Sequence, residues 1–172
     1  MKQVYLDNAA TTPLAKEVAD AMIPVLTDVF GNPSSSHATG RKAKALIETA
    51  RRDIARQLGC EPKSIIFTSG GTEADNWIIK TPFIDKDTTA ELTTSQIEHE
   101  AVLASAENVH SKGFNVNFVS CDGEGVTNID EFRRSINSNT IIASVMYANN
   151  ETGVVQPIEE MSKIVKDINP NA

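Results

Sequence analysis

Three short stretches of this 172-residue chain carry residue types that could hold a phosphorylated aromatic ligand, and each follows an expected strand. In Thr68-Ser69-Gly70-Gly71-Thr72-Glu73, the strand is expected to give way to a helix. Glycines let the backbone turn sharply and approach a ligand closely. Uncommitted N–H groups at a helix start favour an anion, and the Thr72 hydroxyl adds a donor. The stretch is neither a Gly-Lys-Ser/Thr phosphate loop nor a Gly-x-Gly-x-x-Gly dinucleotide turn. An ordinary capped strand-to-helix turn has the same composition. In Ile97-Glu98-His99-Glu100-Ala101-Val102, the histidine falls just past a strand, at a helix entrance. An imidazole there can stack on an aromatic ring or move a proton near neutral pH. A surface histidine capping the helix fits the spacing equally well. In Tyr147-Ala148-Asn149-Asn150-Glu151-Thr152-Gly153, an Asn side chain can donate to a phenolate-type oxygen, or simply build an Asn-rich turn. Ligands of α/β sheets gather at the carboxyl ends of strands, so the coincidence of three such stretches favours one shared site. Glu98 and Glu100 read as solvated acids and His110 as a surface residue.

The elements that must position these residues follow from hydrophobic spacing. Residues 14–29 read as a helix, with Pro13 suited to its first turn and Pro24 a potential kink. Gly31-Asn32-Pro33-Ser34-Ser35-Ser36 is a turn-rich loop. In the next helix, 37–58, Ala43, Ile47, Ala50, Ile54 and Leu58 recur at helical spacing and Gly59 ends the run. Strands are expected at 64–68, 91–95, 115–119 and 140–147, and helices at 72–80, 99–111, 130–136 and 157–168. Strands alternating with helices indicate layered α/β structure with a largely parallel sheet. The chain stops after a helix, where an alternating fold should continue with a strand, so a truncated chain is expected.

Sixteen basic against 23 acidic residues leave a net charge of −7. That mixed, mildly acidic balance argues against a broad nucleic-acid or membrane surface. The opening residues, Met1 to Asn8, lack the apolar core of a signal peptide, and no apolar run is long enough to span a bilayer. The expected compartment is the cytoplasm. Cys60 and Cys121 stand alone, without metal-ligand spacing, and read as structural or incidental thiols. No metal site is expected.

Taken in order, five stretches resemble the NifS/IscS-type cysteine desulfurases. They are Asp7-Asn8-Ala9-Ala10-Thr11-Thr12-Pro13, the run from Gly31 to Arg41, the run from Phe67 to Asn76, Ile97 to Val102, and Asn149 to Ile158. Their order and spacing fit from residue 4 to about 168. The resemblance implies a class V member of the fold-type-I enzymes dependent on pyridoxal phosphate (PLP). The implied fold is three-layer α/β, a largely parallel sheet flanked by helices. Residues 1–172 would be an N-terminal segment plus part of the PLP-binding large domain. Enzymes of this family convert L-cysteine to L-alanine and leave a persulfide on a catalytic cysteine, which supplies sulfur for iron–sulfur clusters and tRNA thiolation. They act as homodimers and pass sulfur to acceptor proteins. Carried over by motif, Gly71 and Thr72 would hold the PLP phosphate. His99 would stack on the pyridine ring and serve as the catalytic acid/base. Asn150 would bond the phenolic oxygen. His37 carries no role beyond its loop.

The family places an Asp and a Gln on its next strand, then a Ser-x-His-Lys whose lysine holds PLP covalently, then a substrate-binding arginine and a mobile cysteine. None of these occurs in the 172 residues. The chain alone is therefore expected to be inactive. Two other readings stay open: a non-catalytic scaffold or partner-binding half, and another class V enzyme such as a selenocysteine lyase or an aminotransferase.

Overall fold

Helices open the chain, and capping and close backbone contacts decide where they start and stop. The computed structural model describes residues 4–172, so Met1, Lys2 and Gln3 of the opening considered for a targeting segment lie outside it. The chain divides into two units, the first running to Phe67 and the second Thr68–Ala172. In the first, α1 (Lys16–Asp28) begins later than Pro13 suggests and runs on through Pro24, and none of its residues is buried. Helix α2 (Ala38–Leu58) starts where the His37 Nδ1 accepts the Gly40 N–H at 3.3 Å. It stops where Gly59 adopts φ 68°, a left-handed cap that a side chain would strain. The loop before α2 is tight. A Cβ on Gly40 would stand 2.5 Å from the Ser35 carbonyl oxygen, so only glycine fits there.

The expected strand at 64–68 does not form. A 3-10 turn, Pro62–Ser64, is followed by backbone outside any ladder, and Ile66 and Phe67 remain exposed. Extended, apolar residues become a strand only beside a partner, and among the described residues none pairs with them.

The second unit is built on a three-stranded, wholly parallel sheet in the order β2-β1-β3. The strands are β1 (Glu91–Ser95), β2 (Asn115–Val119) and β3 (Thr140–Ser144). The helices are α3 (Gly71–Lys80), α4 (Glu100–Ser111), α5 (Ile129–Ser135) and α6 (Ile158–Ile168). Strand residues alternate between faces. Leu92 and Val116 pack with Ile79 of α3 and with Val102, Ala106 and Val109 of α4. On the opposite face Val119 packs with Phe132 of α5 and Met161, Ile164 and Val165 of α6. Thr93, one residue from Leu92, donates its hydroxyl to the Ser135 carbonyl at 3.2 Å, as that alternation requires. The unit thus has helix, sheet and helix layers. Phe132, 1% exposed, is the largest fully buried side chain, and burial of this kind stabilises a fold by about 1.5–3 kcal/mol.

Strand β3 ends three residues before the expected Tyr147. The β1–β3 ladder closes at Thr94 opposite Ser144, and the Met146 N–H turns instead to the Glu98 carboxylate. No helix among the described residues is long and apolar enough to cross a membrane.

Candidate functional site

The three stretches singled out by residue type all belong to the second unit. Helix α3 opens at Gly71 with Gly70 as its cap residue, so no side chain caps its first turn. Among the described residues, nothing accepts from the N–H groups of Gly71, Thr72 and Glu73. A Cβ built on Gly70 or Gly71 would meet no atom within 4 Å. Glu73 turns back to accept from the Ser69 N–H and hydroxyl, both at 2.6 Å, and these two bonds lower its carboxyl pKa. That bond pair fixes the entry to α3. Thr72 is exposed and its hydroxyl has no protein partner among the described residues. Donors of this kind suit a phosphate.

His99 caps α4. Its Nδ1 accepts the Ala101 N–H at 3.1 Å. An Nδ1 that accepts carries no proton, so in the neutral ring the proton sits on Nε2, and the ring is exposed. The capping role anticipated as an alternative is therefore real, and it leaves Nε2–H available to a ligand. No more than the ring's outer edge and face remain for function.

The two adjacent asparagines differ in kind. Asn149 is committed. Its Nδ2 donates to the Ile97 carbonyl at 3.0 Å, and its Oδ1 accepts from the N–H groups of Glu151 and Thr152, each at 2.9 Å. Asn150 is exposed and its amide has no protein partner among the described residues. The one is structural and the other is available.

Glu98 was expected to be solvated and is not. It is 8% exposed. A single carboxylate oxygen, Oε1, accepts from the Ser95 hydroxyl at 2.6 Å and from the Met146 N–H at 2.8 Å. Burial raises its pKa, the two hydrogen bonds oppose that rise, and the charge of Asp75 on α3 adds to it. Asp75 stands one helical turn beyond Thr72. Helix α3 packs against α4, which His99 caps, and the turn that carries His99 is bonded to the one that carries Asn149 and Asn150. Glu100, by contrast, is exposed as expected. Exposed Gln96 and half-buried Ile97 separate Glu98 from the buried run Leu92 to Ser95, so nothing local in the sequence marks its burial. Gln156 falls within the Asn149 to Ile158 stretch. It is 3% exposed and bonds the Thr127 N–H and the Gly125 carbonyl.

His110 is exposed, with its Nδ1 3.3 Å from the Phe114 carbonyl oxygen. Cys60 and Cys121 are free thiols. Among the described residues no cluster of three or more His, Cys, Asp or Glu could hold a metal ion.

The aminotransferase class-V family matches residues 4–171. The chain is 47% identical over 167 residues to the cysteine desulfurase IscS of Methanosarcina thermophila, covering 96% of this chain and 41% of that protein. Among solved structures it is similar to a NifS-like protein, with a TM-score of 0.92 and 37% identity over 99% of this chain and 47% of that one. It is also similar to SspA in complex with cysteine, with a TM-score of 0.88 and 37% identity over 95% of this chain and 48% of that one. The chain therefore spans well under two thirds of the length of these relatives.

Proposed function

Since the chain belongs to the class V aminotransferase family, we propose that it forms the cofactor cradle of a PLP-dependent cysteine desulfurase. What supports this reading is a set of uncommitted donors in the second unit. They are the N–H groups of Gly71 and Thr72 with the Thr72 hydroxyl, the Nε2–H of His99 and the amide of Asn150. These fit the parts of PLP, whose phosphate takes the helix start, whose ring takes the imidazole and whose phenolic oxygen takes the Asn150 amide. Bound PLP supplies an electron-withdrawing ring that weakens bonds at a substrate's Cα. The chain's own residues orient it. The α3 start anchors one end, His99 covers one ring face, and its Nε2 is the atom at which a proton can be held or passed.

In the complete reaction the Cβ–S bond of L-cysteine breaks, an acceptor thiol takes the sulfur as a persulfide, and the carbon takes a proton to give alanine. The substrate is inferred from the names of the relatives and from the neighbour bound to cysteine. A homodimer in the cytoplasm that hands sulfur to acceptor proteins completes the proposal. The 172 residues hold no Ser-x-His-Lys, so covalent capture of the cofactor and sulfur release need groups beyond them.

The test is titration of the full chain with PLP, followed by quenching of Trp77, the single tryptophan, which lies on α3. Saturable, reversible binding that inorganic phosphate competes away is expected, with Thr72→Ala, His99→Ala and Asn150→Ala each weakening it about tenfold, the cost of roughly one charge-assisted or well-formed hydrogen bond. No sulfide should form from cysteine. Binding that is absent, or equal in all four proteins, would overturn the cradle. Steady sulfide production by the chain alone would overturn the division of labour.

A further inference from the structure

Resting on the cofactor reading above, we propose that Glu98 is a positioning residue whose carboxylate latches the turn bearing His99 to the turn bearing Asn149 and Asn150. The two turns leave adjacent parallel strands just where the ladder between them stops, at Thr94 opposite Ser144. Beyond that point no backbone pair between β1 and β3 holds them together. Two side-chain bonds do so. Glu98 Oε1 accepts the Met146 N–H at 2.8 Å, and three residues on, Asn149 Nδ2 donates to the Ile97 carbonyl at 3.0 Å. Ser95, the last residue of β1, fixes the Glu98 rotamer by donating its hydroxyl to the same oxygen at 2.6 Å. The latch therefore spans from the end of β1, through Glu98, to the backbone two residues past β3. His99 follows Glu98 directly, and Asn150 follows Asn149 directly.

An oxygen with two lone pairs suits this task, because it accepts one hydrogen bond from the Ser95 hydroxyl and one from the Met146 N–H. Such a bond, shielded from water, gives a turn a single geometry. His99 and Asn150 are both exposed and make no contact of their own that sets their separation. The separation is inherited from the latch beneath them. Glu98 touches neither ligand nor reacting atom. It acts through its neighbours.

The experiment uses the isotope-labelled full chain as wild type, Glu98→Ala, Glu98→Gln and Ser95→Ala. Two readouts are taken: the His99 ring and Asn149 and Asn150 side-chain amide resonances, and the affinity for PLP. Glu98→Ala should shift or split those resonances and weaken PLP about tenfold, with helix content by circular dichroism unchanged. Glu98→Gln keeps an oxygen acceptor for both donors and should restore the resonance pattern and bring affinity within about threefold of wild type. Ser95→Ala, a change of one atom, should weaken binding by an intermediate amount, and it decides the matter if Glu98→Ala does not fold. Unchanged resonances and affinity in Glu98→Ala, or in Ser95→Ala when it must stand in, overturn the latch. So does equal impairment of the Ala and Gln variants. If the wild type itself does not bind PLP, the cofactor reading falls, and the resonances alone decide the latch.

Discussion

Burial separates Glu98 from the other carboxylates near the site. Glu73 and Glu100 are exposed, whereas Glu98 is enclosed and accepts two hydrogen bonds. Enclosure raises its pKa above the ordinary 4.5, with the Asp75 charge adding to the effect and the Ser95 and Met146 bonds pulling against it. The folded protein then holds the Glu98 proton more tightly than the unfolded chain does. Its contribution to stability is complete below pH 4.5 and is lost as pH rises through the raised, folded value. Glu98→Gln cannot ionise. Its stability relative to wild type should therefore increase as pH climbs from about 4 to about 7, read from urea midpoints of both proteins across that range. A difference that stays flat with pH would show that burial does not perturb this carboxyl. The sequence could reveal residue types here but not their surroundings. Thr72, His99 and Asn150 stand out in sequence because each follows an expected strand; His99 and Asn150 lie in the turns after β1 and β3, whereas the strand expected ahead of Thr72 does not form. Glu98, between Ile97 and His99, looked like any acid in a polar turn, because its burial depends on Met146, 48 residues away.

At the scale of elements, the returns after β2 and β3 are held together by one amide. The chain folds back after β2 through a bridge between Cys121 and Thr127, and after β3 through one between Ala148 and Val155. Gln156 joins them, with Oε1 accepting the Thr127 N–H at 2.8 Å and Nε2 donating to the Gly125 carbonyl at 2.9 Å. Gln156→Ala would strand the buried Thr127 N–H and leave the half-buried Gly125 carbonyl without its partner. It should cost about 2–4 kcal/mol, seen as a lower urea midpoint with an unchanged slope. A loss below about 0.5 kcal/mol would mean that water replaces the amide. The helices and the strands at 91–95 and 115–119 were legible because their apolar spacing is local. The strand expected at 64–68 was not, because Ser64 to Thr68 carry strand-forming residues without a neighbour to pair with. Strand β3 came out shorter than its apolar run for a related reason: side chains can extend the pattern, but the Met146 N–H is claimed by Glu98. Helix α1 runs on through Pro24.

Across the whole chain, buried apolar mass is unevenly shared. Both hydrophobic clusters lie in the second unit, with Leu92, Val109, Phe132 and Ile164 among their members. The two long helices of the first unit bury only Gly40, Ala43 and Ala55, while Leu26 and Phe30 are 73% and 83% exposed. Burial stabilises by about 25 cal/mol per Å² of apolar surface, and ordering each residue costs about 1–2 kcal/mol. A segment that buries only small side chains gains little against that cost. A 13-residue helix such as α1 is marginal on hydrogen bonds alone. The first unit should therefore open locally far more often than the second, which unfolds as one cooperative block. Brief digestion with a low dose of trypsin checks this. The first cuts should fall at Lys16, Arg41, Lys42 or Lys44, leaving a resistant product that contains the sheet and ends at Ala172, identified by intact mass. Lys86, Lys112 and Lys163 offer the same enzyme sites in the second unit, and all three are exposed. First cleavage at these positions, with the first unit left whole, would show that the small interior of α1 and α2 is held by more than its own packing.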